Sequence, residues 1–242
     1  MIEASTAELD FGPGSGRGRF AAWCIILGFT LIWIIVSIAG VLVFFILGTI
    51  LGMSFEVSLW FSALVAYAVV IPITLLFLHY DGDLSSIRRM LRLETPKKAA
   101  LLLAGIPLIV TIMDLILNLI YGFAYIGAFG EPSPPDIGVT WESSTLSIVL
   151  VLLSTVIIGP IAEELMFRGY VLDSIRKIHG DVLGIILSAL LFGMIHFDPY
   201  TVGMATLGGV LYGYIRVKTG SLWPSVVSHM IWNAMAMVVT YL

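Results

Sequence analysis

"STLSIVLVLLSTVIIG", residues 144–159, runs without a break into "PIAEELMFRG", residues 160–169. The first half is fit for lipid. The second carries two adjacent glutamates and an arginine, yet "LMF" and, just beyond, "YVL" keep the apolar pattern going. About 20 apolar residues cross ~30 Å of hydrocarbon, so the stretch reads as a membrane helix. An ionisable side chain at the centre of such a helix costs about 2.5–3.5 kcal/mol on insertion scales, so Glu163, Glu164 and Arg168 should face a protein interior or a wet cavity. The competing reading ends the helix near Gly159 and Pro160 and makes Glu164 and Arg168 an interfacial i,i+4 pair.

Composition agrees with lipid as the solvent. Of the 242 residues, 59% are hydrophobic and 12% charged, with a mean hydropathy of +1.05. A soluble domain carries about 25% charged residues, so the chain reads as an integral, multi-pass protein, expected in the cell membrane. One cysteine, Cys24, supports neither a disulfide framework nor a thiolate metal site. The net charge of -4 decides little. The opening "MIEASTAELDFGPGSGRGRF" is acidic and glycine-rich, which predicts a disordered cytoplasmic tail over 1–20 and not a cleaved signal peptide.

Seven apolar spans are expected: 21–51, 57–79, 99–121, 145–170, 182–197, 202–217 and 222–241, the fifth and sixth being short. The fold class is therefore all-α, a polytopic transmembrane helix bundle. Residues 21–144 supply the N-terminal transmembrane helices and 145–242 a catalytic core. Gly40, Gly48 and Gly52 would let the long first span pack closely or bend. The long connectors are 79–98 and 122–144. With a cytoplasmic N-terminus, all 12 basic residues, from Arg17 to Lys218, fall on or toward that side, and Glu56, Glu131, Asp136, Glu142 and Asp198 fall opposite.

Two later stretches complete a polar set. "FGMIH", 192–196, places Phe192 one turn before His196, and "HMIWN", 229–233, places His229 and Asn233 on one helix face. A lone membrane histidine is as often an interhelical hydrogen-bond partner as a functional group. Three spans, each with such residues at one-turn spacing, are harder to ascribe to packing. Carboxylate and imidazole together can activate a water, and a second imidazole with a carboxamide can donate to a tetrahedral oxyanion, which is the equipment of peptide hydrolysis without a covalent intermediate. Neither Cys24 nor any serine has a nucleophile-elbow context. Two Glu and two His also resemble di-metal carboxylate bundles, but H-E-x-x-H and E-x-x-H are both lacking, and Arg168 would compete with a cation for Glu164.

The three motifs together, "EELMFR" as E-E-x-x-x-R, "FGMIH" as F-x-x-x-H and "HMIWN" as H-x-x-x-N, resemble the type II CAAX prenyl endopeptidases, also called the Abi or bacteriocin-processing family of glutamate-type intramembrane proteases. The lead-in "TGSLWPSVVSH" looks similar too, and the resemblance covers about 145–242. It implies a helix bundle around a water-filled cavity. Glu163 would activate the water with His196, His229 and Asn233 would stabilise the oxyanion, and Glu164 and Arg168 would support them, with Phe192 beside His196. The implied enzyme is a metal-independent, cofactor-free endopeptidase cutting near the cytoplasmic side. Its partners would be the bilayer and a peptide or protein substrate, prenylated or membrane-bound, with no nucleic acid. The alternatives are a non-catalytic scaffold of the same fold, a membrane metalloprotease, or a proton-coupled transporter, the last disfavoured by the lack of an inverted repeat.

Other polar residues lie outside the motifs. Asp114 and Asn118 share a face in "TIMDLILNLIY" and would line the cavity or bond a neighbouring helix. His79 and His179, at cytoplasmic helix ends, read as solvated. The basic cluster from Arg88 to Lys98 is topogenic, with anionic-lipid contact as a second use.

Overall fold

In the computed structural model, the helix boundaries follow the capping chemistry of the chain; the structure describes residues 19–80, 89–93, 95–133, 139–140 and 142–240. Seven long helices account for most of the described residues, and there is no strand among them. They are α1 (Arg19–Ile50), α2 (Phe55–Tyr80), α3 (Pro96–Phe129), α4 (Thr145–His179), α5 (Asp181–Met194), α6 (Pro199–Thr219) and α7 (Trp223–Thr240). Thr95 and Ser144 start α3 and α4 by accepting the backbone N–H of Lys98 and Ser147, and Pro96 sits where its missing N–H costs nothing. Gly180 (φ 82°, ψ 177°) and Gly220 (φ 67°, ψ 2°) take positive-φ conformations, the second the left-handed αL cap, that separate α4 from α5 and α6 from α7. Residues 1–18, Arg88 and Asp136 of the sequence reading lie outside the described residues.

Two expected boundaries are corrected. α3 continues past 121 through "GFAYIGAF" to Phe129, because Tyr121 and Tyr125 pack on Tyr200 and reward another two turns of helix. α4 continues past 170 to His179, because its last turns bear Asp173 and Arg176 and are held by ion pairs to α5 and α6.

Helices α1 to α4 are long and apolar enough to cross a membrane, whereas α5 has 14 residues, about 21 Å of rise. Burial is inverted relative to a soluble protein. Leu108, Ile112, Ile116 and Phe123 of α3 are exposed, while Asp114, Glu164 and Arg168 are buried, so the outer surface suits acyl chains and the interior holds the charge.

Contacts sort the helix ends into two groups. At one end Trp23 Nε1 donates to His179 Nε2 (3.0 Å), so His179 is more than a solvated residue, and the indole of Trp223 donates to the Leu91 carbonyl (2.8 Å). At the other end the Tyr121 hydroxyl donates to the Pro199 carbonyl (3.4 Å). α1 and α2 form a close pair. A Cβ on Gly40 would lie 3.2 Å from Ala66 Cβ, and one on Gly48 would lie 2.8 Å from Ser58 Oγ, so these two glycines serve close packing while Gly52 (φ 78°) serves the turn.

Candidate active site

α4 is not a uniform helix. Its segments Leu152–Ile158 and Phe167–Val171 are π-helical and flank the α-helical Gly159–Met166, which carries both glutamates. π segments shift the register of everything after them and recur at functional sites. The register of the first leaves one carbonyl without its helical partner. The carbonyl of Thr155 faces, five residues on, Pro160, which has no N–H to give. Asn233 of α7 supplies the hydrogen instead, with Nδ2 donating to that carbonyl at 2.8 Å.

Glu163 and Glu164 leave α4 toward different partners. The Tyr67 hydroxyl, from α2, donates to Glu163 Oε1 at 2.9 Å. Glu163 Oε2 lies 3.8 Å from His229 Nε2, beyond a direct hydrogen bond. Glu164, fully buried, accepts at Oε1 from Arg168 Nη1 (2.9 Å) and from His229 Nδ1 (3.1 Å). A buried charge pair is tolerable only with such additional bonds. The guanidinium of Arg168, also fully buried, donates from Nη2 to the Gly209 carbonyl (3.3 Å) and lies 4.3 Å over the Phe192 ring, a desolvated cation–π contact. The interfacial reading of Glu164 and Arg168 is thereby overturned: the pair is interior.

The two histidines are fixed in the same way. His196 Nδ1 donates to the carbonyl of Phe192 at 3.1 Å, and His229 Nδ1 donates to Glu164. Both acceptors lack a hydrogen, so Nδ1 carries the proton in each ring and Nε2 is left for chemistry. Phe192 touches both rings edge-on, with centroids 5.2 Å from His196 and 5.6 Å from His229. His196 follows the end of α5 in a tight turn where Phe197 takes φ 60° and Asp198 caps α6 through the Thr201 N–H (2.8 Å) and hydroxyl (2.7 Å).

Asp114 and Asn118 bond within the bundle and do not line the cavity. Asp114 Oδ2 accepts the Tyr212 hydroxyl of α6 at 2.7 Å, Asn118 Nδ2 donates to Asp114 Oδ1 at 2.8 Å, and the Tyr212 ring stacks on His229 at 5.6 Å.

A cavity of about 410 Å³ opens beside this cluster, with Glu163, Tyr67, His196 and Phe197 in its wall. The rest of the lining is chiefly the α1 face from Trp33 to Leu42, apolar apart from Ser37. His229 and Asn233 are not in that wall; His229 reaches it through Glu163. The buried Trp33 indole N–H has no protein acceptor among the described residues, and neither does Glu164 Oε2 have a donor. No three His, Cys, Asp or Glu side chains gather as a metal site among the described residues.

Tyr67 was not foreseen from sequence. A tyrosine in "VAYAVVIP" carries no periodic or motif signal, and only the tertiary contact singles it out.

Known proteins resemble the C-terminal part of the chain. Residues 145–235 match the family model described as type II CAAX prenyl endopeptidase, Rce1-like. Over 92 residues the chain is 22% identical to a Bacillus subtilis (strain 168) protein named "Putative membrane peptidase YdiL", an alignment covering 38% of either chain. The chain thus aligns with less than two fifths of that relative's length. No solved structure matches. Glu163, Glu164, Arg168, Phe192, His196, His229 and Asn233 all lie inside the matched segment, whereas Tyr67 and Asp114 lie outside it.

Proposed function

From the Rce1-like match over 145–235, which points to a membrane peptidase, we propose that this protein is a glutamate-type intramembrane endopeptidase working without a metal. The observation that carries the reading is the convergence of Glu163 and His196, from α4 and the end of α5, on one cavity, with His229 3.8 Å behind Glu163. Glu163 takes a proton from water through the oxygen not bonded to Tyr67, and the resulting hydroxide attacks the peptide carbonyl. His196, its proton fixed on Nδ1, orients that water through Nε2, then takes the proton from Glu163 at that nitrogen and passes it to the leaving amine. His229, braced at Nδ1 by Glu164 and with Nε2 turned toward Glu163, serves as an oxyanion donor when that nitrogen also bears a proton. Asn233 has a second amide hydrogen beyond the one given to Thr155 for the same purpose. The apolar α1 wall suits a lipophilic or membrane-embedded peptide, prenylated substrates included.

The test is cleavage of internally quenched peptides, with and without a farnesylated C-terminal Cys-a-a-X segment, by purified full-length protein. Glu163→Gln keeps the shape and removes the proton acceptor, so turnover should fall ~10²–10⁴-fold with folding intact. Unchanged cleavage by that variant would remove Glu163 from the chemistry. Activity should also survive dialysis against a strong chelator; loss restored by Zn²⁺ would replace this mechanism with a metalloprotease.

A further inference from the structure

We propose that Tyr67, in the half of the chain that no family match covers, is a positioning residue for the Glu163 carboxylate; the inference rests on the proposed peptidase reading. A carboxylate on a helix can rotate about its last torsion, exchanging its two oxygens, because such sp³–sp² torsions are broad and two-fold. The Tyr67 hydroxyl removes that freedom by engaging Oε1 at 2.9 Å, which commits Oε2 to the side where His229 Nε2 stands at 3.8 Å.

The phenol is itself held. Its ring lies against the α4 backbone at Gly159, where a Cβ would sit 3.2 Å from Tyr67 Cε2 and Cζ. Gly159 therefore provides the slot, one turn before the glutamate that the hydroxyl holds. Tyr67 and Glu163 both line the 410 Å³ cavity, so the hydrogen bond is made at the edge of the space where a substrate would lie. Only oxygens face each other in this contact. Since a carboxylate can only accept, Tyr67 donates, and the bond is charge-assisted. A residue that merely packed α2 on α4 would need the ring and not the hydroxyl.

Tyr67→Phe separates these two uses, since it keeps the ring in the Gly159 slot and deletes only the donor. In the same quenched-peptide assay, kcat should fall about 10- to 100-fold, by analogy with loss of the hydrogen-bond partner that orients a metal ligand, while KM stays within about twofold and the melting temperature of the detergent-solubilised protein does not drop. A kcat within twofold of wild type overturns the proposal. So does a loss confined to KM, which would make Tyr67 part of a substrate subsite, and so does a kcat loss that tracks a lowered melting temperature. Glu163→Gln run in parallel separates the two layers of inference: if it is as active as wild type, the reading of the site fails, whereas an inactive Glu163→Gln beside a fully active Tyr67→Phe removes Tyr67 alone. Absence of cleavage by wild type across the peptide set overturns both.

Discussion

At the scale of single residues the site is a set of anchored groups: Nδ1 of both histidines is tied down, Glu164 is shared by Arg168 and His229, and Oε1 of Glu163 is held by Tyr67. Removing one member of a buried charge pair leaves the other uncompensated. Arg168→Met should accordingly destabilise the protein by about 3–5 kcal/mol, read as a large drop in melting temperature, and should abolish activity by leaving Glu164, the brace of His229, without its counter-charge. Replacing Glu164 and Arg168 together by Gln and Met should recover much of the stability and none of the activity. The motif residues were legible because local spacing fixed their relations: Glu164 and Arg168 one turn apart, Phe192 and His196 one turn apart. Tyr67 on Glu163 and Asp114 on Tyr212 were not legible, because each joins residues about a hundred positions apart and no periodicity encodes which helices become neighbours.

At the scale of elements, the turn between α5 and α6 carries His196 and is held by Asp198. Hydrogen bonds from the Thr201 hydroxyl and backbone N–H keep the Asp198 carboxyl below the usual carboxylate range. Asp198→Ala should cost about 0.5–2 kcal/mol, the usual worth of an N-cap, and should lower turnover by loosening the His196 turn. Because the folded-state pKa is depressed, the carboxylate's contribution is fully present above about pH 4 and is lost as pH falls through the depressed value. The stability gap between wild type and variant should therefore be flat from pH 5 to 8 and close only in strong acid, as melting curves across pH will show. Helix positions were legible from hydropathy, but the ends of α3 and α4 were not, since both were extended by contacts with α5 and α6 rather than by their own apolarity. The π segments of α4 were also invisible, although Pro160, the cause of one orphaned carbonyl, stood in plain view.

At the scale of the molecule, the alternation of helix ends accords with the charge asymmetry of the loops, and we propose that α1 starts on the cytoplasmic side. In a Cys24→Ser background, a membrane-impermeant maleimide applied to intact cells should label Glu131→Cys and spare Lys97→Cys; the reverse pattern would invert the orientation. The brevity of α5 has a further consequence for the lipid itself. Val182, Leu183, Ile186 and Leu190 turn outward along a helix of only about 21 Å, against ~30 Å of hydrocarbon. If α5 crosses the bilayer, acyl chains beside it have to compress or tilt to meet it, a mismatch costing fractions of a kcal/mol per ångström. Under the proposed function, that thinning would lie beside the turn that bears His196 and would shorten the route of water through the hydrocarbon to the proposed site of hydrolysis, which makes membrane thickness a control on the rate.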